Sequence, residues 1–386
     1  MDFVVKTMME LIRSEIFGVA ISGISSDVLS NDFYEKLYKL SKSHDLVHIV
    51  GSALKNNGLM PQGDIAKKFE KQTFMALLRY ERLNYEYEQI CNTFEKNNIV
   101  YVPLKGAVIR DFYPEPWMRT SCDIDILVRE NDVDKAIESI CGELGYTSEE
   151  KNYHDVSMHS NSGIHLELHF SILENMENID KLLSRVWEYC YPAKSDGYKY
   201  LQTNEYFMFH HVAHMMYHFV KGGCGIKPFV DMCLLFDRLK YDDEIFKSYC
   251  DECGIGKFYT GVKELSNVWF GDGEHTELTK QMEVYLLTGG VYGTTLNHET
   301  VGQAKKGGKL KNIVSIVFLP YNTLVAIYPS LEGRRWLMPV YQVRRWFKQA
   351  FRGGLKRAAK KIKINQSVSS NSVERTNDML DSLGIL

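Results

Sequence analysis

The chain has 386 residues, a formal net charge of −3 and 45% hydrophobic residues, enough for two or three domains with sizeable cores at about 100–200 residues each. Near-balanced charge favours no particular partner for the chain as a whole, and no apolar run approaches the ~18 residues of a membrane span. Eight cysteines without framework spacing and an N-terminus without a signal-peptide pattern point to a reduced, cytoplasmic protein. The single Cys250-Asp251-Glu252-Cys253 pair has no second pair to complete a zinc site, and reads as ordinary thiols near a helix end.

In chain order, residues 1–95 read as a helical region: 3–16, 31–43 and a long amphipathic stretch over 65–94 with aromatics at helical spacing. Residues 96–175 switch to short strands alternating with helices. Tyr101-Val102-Pro103-Leu104-Lys105-Gly106 is a short strand ending in Lys-Gly, a helical run follows over 107–112, and Pro114 and Pro116 mark a turn. Val133–Leu144 reads as a helix stopped by Gly145. Residues 176–300 read as helical again, broken by Gly289, Gly290 and Gly293. Residues 301–386 hold a basic segment over 334–363, divided by Pro339 and the Gly353-Gly354 pair, and then a flexible tail over 367–377. The fold class is α+β, a small mixed sheet of four or five strands embedded between helical regions.

The chemistry centres on Asp123-Ile124-Asp125-Ile126-Leu127-Val128. Strand side chains alternate with period two, so Asp123 and Asp125 share one face while Ile124, Ile126 and Val128 face a core. Paired carboxylates repel, and a divalent cation is the simplest remedy; oxygen-rich sites suit Mg²⁺ or Mn²⁺, which recruit phosphates as further ligands. The segment Ile164-His165-Leu166-Glu167-Leu168-His169 alternates in the same way. A third carboxylate, Glu167, on a strand beside the first pair would complete a two-metal clamp. His169 shares its face and is placed to orient Glu167 or touch a phosphate, whereas His165 reads as an exposed edge residue. Lys105 would neutralise phosphate charge, and Gly106 would let the backbone approach a phosphate closely. Arg119 either grips a triphosphate or pairs with Asp111 or Glu115. His210, His211, His214 and His218 suggest a metal cluster, but no further ligand follows at a diagnostic spacing, and core or interface histidines are the better reading.

The pattern Leu104-Lys105-Gly106, Arg119, Asp123-x-Asp125-Ile-Leu-Val, Gly145-Tyr146 and Glu167-Leu168-His169 resembles the nucleotidyltransferase superfamily that includes polymerase beta and the aminoglycoside nucleotidyltransferases. The nearest likeness is to a bacterial family of uncharacterised nucleotidyltransferases. It continues weakly through residues 222–227 and Asp231. It implies transfer of a nucleoside monophosphate from an NTP to an unidentified hydroxyl-type acceptor, with Asp123, Asp125 and Glu167 as catalytic metal ligands. Lys105, Gly106, Arg119, His169 and Lys227 would contact the nucleotide. Two departures are visible: no hydroxyl follows Lys105-Gly106 where the superfamily carries Gly-Ser, and the third carboxylate is Glu rather than Asp. A metal-dependent glycosyltransferase and a nucleotide-binding scaffold with weak or no turnover are the alternatives.

The basic segment over 334–363 is rich in Lys and Arg, lacks Asp and Glu, and interleaves Trp336, Val340, Trp346 and Phe347. It suits an anionic membrane surface or a nucleic acid, which would place the protein peripherally at a membrane. The opposing reading is a solvated helical appendage.

Overall fold

In the computed structural model of the protein, residues 2–21, 24, 29–291, 293–351 and 354–385 are described. The N-terminal helices are α1 (Phe3–Phe17), α2 (Asn31–Ser43), α3 (Val47–Asn56) and the 33-residue α4 (Asp64–Lys96). The α/β part follows as β1 (Tyr101–Pro103), α5 (Gly106–Ile109), β2 (Asp123–Val128), α6 (Val133–Leu144), β3 (Thr147–Ser148), β4 (Asp155–His159) and β5 (His165–His169). Then come α7 (Glu177–Leu183), β6 (Cys190–Pro192), β7 (Tyr200–Gln202), α8 (Asn204–Val220), α9 (Lys227–Arg238), α10 (Asp243–Glu252) and α11 (Gly256–Phe270). The last helices are α12 (Glu277–Gly289), α13 (Thr295–Lys306), α14 (Lys309–Val317), α15 (Tyr321–Ile327), α16 (Met338–Phe351), α17 (Gly354–Ser367) and α18 (Ser370–Ser382). Two compact units result: residues 1–217 with 226–279, and residues 218–225 with 280–386.

The expected α+β class and the small mixed sheet hold. Five strands lie in the order β1-β2-β5-β4-β3; β2 and β5 are parallel, and the other pairings are antiparallel. The alternation read from the sequence explains what covers the sheet. Ile124, Ile126 and Val128 of β2, Leu166 and Leu168 of β5, and Val156 and Met158 of β4 bury on one face against Leu83, Ile90 and Phe94 of α4 and Ala136 and Ile140 of α6. At roughly 1.5–3 kcal/mol for each fully buried large apolar side chain, this face fixes the strand register. A slip of one residue would turn the apolar set outward. Gly145 ends α6 as expected, with a left-handed φ of 69° and its N–H on the Cys141 carbonyl.

The helical run expected over 107–112 is present, as a four-residue helix followed by a 3₁₀ turn over Arg110–Phe112. Other expectations are corrected. The stretch after Ile179 is not helical throughout: β6 and β7 form a two-stranded sheet. His165 is not at an edge, since β5 is flanked by β2 and β4.

In the second unit, the polar stretch after Gly293 forms α13, started by a Thr294 side-chain cap. Gly293 is required sterically, because a Cβ there would lie 2.4 Å from the Gly222 carbonyl carbon. The expected tail over 367–377 is ordered as well. Ser369 caps α18, which buries Met379 and Leu380, while Asn365 accepts from Gln303 and Asn312. Of the expected break at Gly353-Gly354, Gly353 lies outside the described residues, and α17 starts at Gly354. Pro339 sits in the first turn of α16, where its missing N–H costs nothing, and does not divide it. Among the described residues, no helix is long and apolar enough to cross a membrane.

Candidate active site on the acidic face of the sheet

The face of the sheet opposite α4 and α6 carries the acidic residues. In the parallel β2–β5 pair, Asp123 stands beside His165, Asp125 beside Glu167 and Leu127 beside His169. One donor atom from each of Asp125, Glu167 and His169 falls within 4.8 Å of the others, and the same holds for Asp123, His165 and Glu167. Period two on each strand and parallel pairing between them thus assemble five chemistry-bearing side chains from two segments some forty residues apart in sequence.

Their charges are strongly coupled. Lys105 Nζ lies 3.2 Å from Asp125 Oδ1, and His169 Nε2 lies 2.9 Å from the same oxygen and 3.5 Å from Glu167 Oε2. Burial alone would raise the Asp125 pKa, but Lys105 and His169 hold it well below the usual carboxylate range. Asp123 lacks those partners. Burial, then the Asp125 and Glu167 charges, push it up to about 6, against the pull of Lys105 and Arg119. The hydrogen bond from His169 lowers Glu167. Burial would depress His169 and Lys105, yet the carboxylates around them raise both. The site is therefore an acidic cluster whose negative charge is only partly neutralised, with the surplus at Asp123.

Lys105 reaches Asp125 from an unusual backbone: φ is 44° and ψ is −115°, a conformation that costs a non-glycine residue on the order of 1–3 kcal/mol. Gly106 has no such need. A Cβ there would meet Ser121, at 3.5 Å for its Cβ and 3.7 Å for its Oγ, and Arg119 Nη1 at 3.8 Å, all ordinary contacts. Ser121 Oγ donates to the Asp123 carbonyl and accepts from Arg110. A hydroxyl thus stands beside Gly106 although none follows it in sequence.

Arg119 and Lys227 are each held by a carboxylate outside the cluster. Arg119 pairs not with Asp111 or Glu115 but with the fully buried Asp231, its Nε donating to both carboxylate oxygens at 2.8 and 3.0 Å, while Tyr113 donates its hydroxyl to Oδ1 at 2.7 Å. Lys227 Nζ binds Asp45 at 2.7 Å and the Thr120 hydroxyl and carbonyl. Both cations therefore brace the loop over 119–121 that leads into Asp123. The histidines of α8 are dispersed: His210 contacts Gln202, His211 lies 3.8 Å from Asp231, and His214 contacts Glu174 at 2.6 Å. Among the described residues none of them joins a metal-ligand group. Glu174, whose charge helps raise Lys105, escaped the sequence reading because it follows β5 in an irregular loop without periodicity.

A mixed sheet with paired aspartates on one strand and a third carboxylate on its parallel neighbour is an arrangement of the nucleotidyltransferase class. A family model described as uncharacterised nucleotidyltransferase matches residues 32–271, and the chain belongs to that family. No curated protein and no solved structure matches it.

Proposed function

We propose that the protein moves a nucleoside monophosphate from an NTP to a hydroxyl-type acceptor with release of pyrophosphate. The observation that carries this reading is the meeting of Asp123, Asp125 and Glu167 on one sheet face, with Lys105 beside them. The donor set fits Mg²⁺ or Mn²⁺: the three carboxylates offer hard oxygen ligands, and the raised Asp123 marks negative charge that a cation would relieve. Such an ion would polarise the triphosphate and lower the pKa of the acceptor hydroxyl.

The remaining roles follow from the chain's own contacts. Lys105 supplies a point charge to phosphate oxygens. His169 donates its Nε2–H to Asp125, fixing that carboxylate, and restrains Glu167. Gly106 leaves the strand end open to close approach, with the Ser121 hydroxyl alongside. Arg119 and Lys227, held by Asp231 and Asp45, position the loop before Asp123 rather than gripping the nucleotide. A glycosyltransferase would need a longer run of strands ahead of its D-x-D than the three-residue β1.

For the basic segment we favour an anionic membrane surface. Trp336, Val340, Val343 and Phe347 are all exposed, the last three at helical spacing on α16, amid Arg and Lys with no acidic residue between 334 and 363.

The test of the activity is incubation with each labelled NTP, Mg²⁺ or Mn²⁺, and a cell extract. Labelled product with released pyrophosphate is expected. Absence of both with every NTP and either metal would refute the reading.

A further inference from the structure

On the side of β5 away from Asp125, the structure brings together a second set of ligands that differs in kind. Asp155 opens β4 and is the direct cross-strand partner of His169. His154 precedes it, and its ring stacks on that of His169 at 5.9 Å between centroids. One donor atom from each of His154, Asp155 and His169 lies within 4.8 Å of the others. His154 Nε2 is 3.9 Å from Asp155 Oδ2, too far for a hydrogen bond.

The second observation is an unmet valence. His169 is 5% exposed. Its Nε2 is committed to Asp125 and Glu167, while its buried Nδ1 has no hydrogen-bond partner. Nδ1 of His154 is likewise buried and without a partner. A buried ring nitrogen left without a partner is costly, unless something outside the chain satisfies it.

We propose that His154, Asp155 and His169 bind a transition-metal ion of the zinc type, distinct from the ion assigned to the carboxylates. Two imidazoles and one carboxylate are a zinc-type donor set, whereas Mg²⁺ prefers oxygen alone. Ligands about 2.0–2.1 Å from a tetrahedral ion sit roughly 3.4 Å from one another, so small side-chain rotations close the observed spacing. The surroundings match what such ligands need. A metal-bound histidine donates its other ring N–H to a carboxylate, and His169 Nε2 stands 2.9 Å from Asp125 Oδ1. Ligating carboxylates are themselves held by hydrogen bonds, and Asn152 Nδ2 donates to Asp155 Oδ1 at 3.0 Å. With three protein ligands, a fourth position stays open to water. An ion here would fix the tautomer and tilt of His169, and through it the Asp125 carboxylate.

The test is metal binding by the full chain, measured by equilibrium dialysis with Zn²⁺ and by visible absorption with Co²⁺. One ion per chain is expected, retained against millimolar Mg²⁺, with Co²⁺ giving the intense bands of a tetrahedral site. His154→Gln and Asp155→Asn, checked for folding by circular dichroism, should each weaken Zn²⁺ at least tenfold. Asp123→Asn should leave Zn²⁺ binding intact while removing Mg²⁺–NTP binding, so a failure of the nucleotidyltransferase reading would be seen separately. No Zn²⁺ binding by the parent, displacement by Mg²⁺, or equal affinity in the folded His154→Gln and Asp155→Asn variants would each overturn the proposal.

Discussion

Replacing Asp231 with Asn tests the brace behind the active-site loop. The substitution keeps the shape of the side chain and removes its charge. Asp231 is fully buried and accepts two hydrogen bonds from Arg119 Nε and one from Tyr113. Burial alone would push the Arg119 guanidinium down, and the Asp231 carboxylate more than offsets this and raises it. Without the carboxylate, a largely buried cation loses its counter-charge, a change that costs about 3–5 kcal/mol. At about 2 °C per kcal/mol for a large domain, the melting midpoint should fall by on the order of 10 °C. The double variant Arg119→Met with Asp231→Leu should recover most of that loss, since a buried ion pair exchanged for apolar groups is close to neutral. Thermal melts and urea unfolding of Arg119→Met, Asp231→Leu and the double variant complete the cycle. A single-variant loss below about 1 kcal/mol, or strict additivity in the double variant, would show that Arg119 does not depend on Asp231 and refute the brace.

Asp123→Asn and Asp125→Asn should abolish turnover while the apolar face of β2 still packs. Mg²⁺–NTP at a hundredfold excess over Kd should stabilise the parent by about 2.7 kcal/mol and leave both variants' melting unchanged. Glu167→Gln should lower the rate far more than it weakens NTP binding, read by single-turnover kinetics alongside titration; equal losses would remove Glu167 from its assigned role. His48 is fully buried, and burial lowers its pKa to about 4 against the Met118 carbonyl contact that raises it. Because the unfolded imidazole takes up a proton first, its contribution is complete above about pH 6.5. Roughly 3 kcal/mol is lost as the pH falls to about 4, so urea unfolding across that range should show a steeper decline for the parent than for His48→Gln. Val340→Asp combined with Phe347→Asp should abolish sedimentation with phosphatidylserine vesicles, and parental binding should weaken with salt; unchanged sedimentation would leave the basic segment a solvated face.

What was legible in the sequence was whatever local periodicity encodes. Period two placed Asp123 and Asp125 on one side of β2 and Glu167 and His169 on one side of β5, and the structure pairs those strands directly. Gly145 marked the end of α6 through its left-handed turn. What stayed hidden depends on contacts distant in sequence. Asp231 lies 112 residues from Arg119, and Asp45 lies 182 from Lys227; nothing in the intervening chain announces either pairing. The nearby Asp111 and Glu115 were plausible partners for Arg119 only by proximity. The serine-rich stretch around residue 370 has the composition of a tail, yet four side chains from Thr376 to Leu383 are buried, an outcome decided by the α13 surface that α18 meets. Asp155 gave no signal of its own because its meaning comes from the register of β4 against β5.

The left-handed backbone at Lys105 carries a lesson for anyone engineering this chain. Glycine would take φ 44° without penalty, so position 105 invites a strain-relieving substitution. The Lys105 ammonium, however, rests on the buried Asp125, and leaving that carboxylate beside Asp123 and Glu167 without it costs more than the strain returns. Strain and counter-charge are bound up in one residue, which makes position 105 one to hold fixed when the scaffold is optimised.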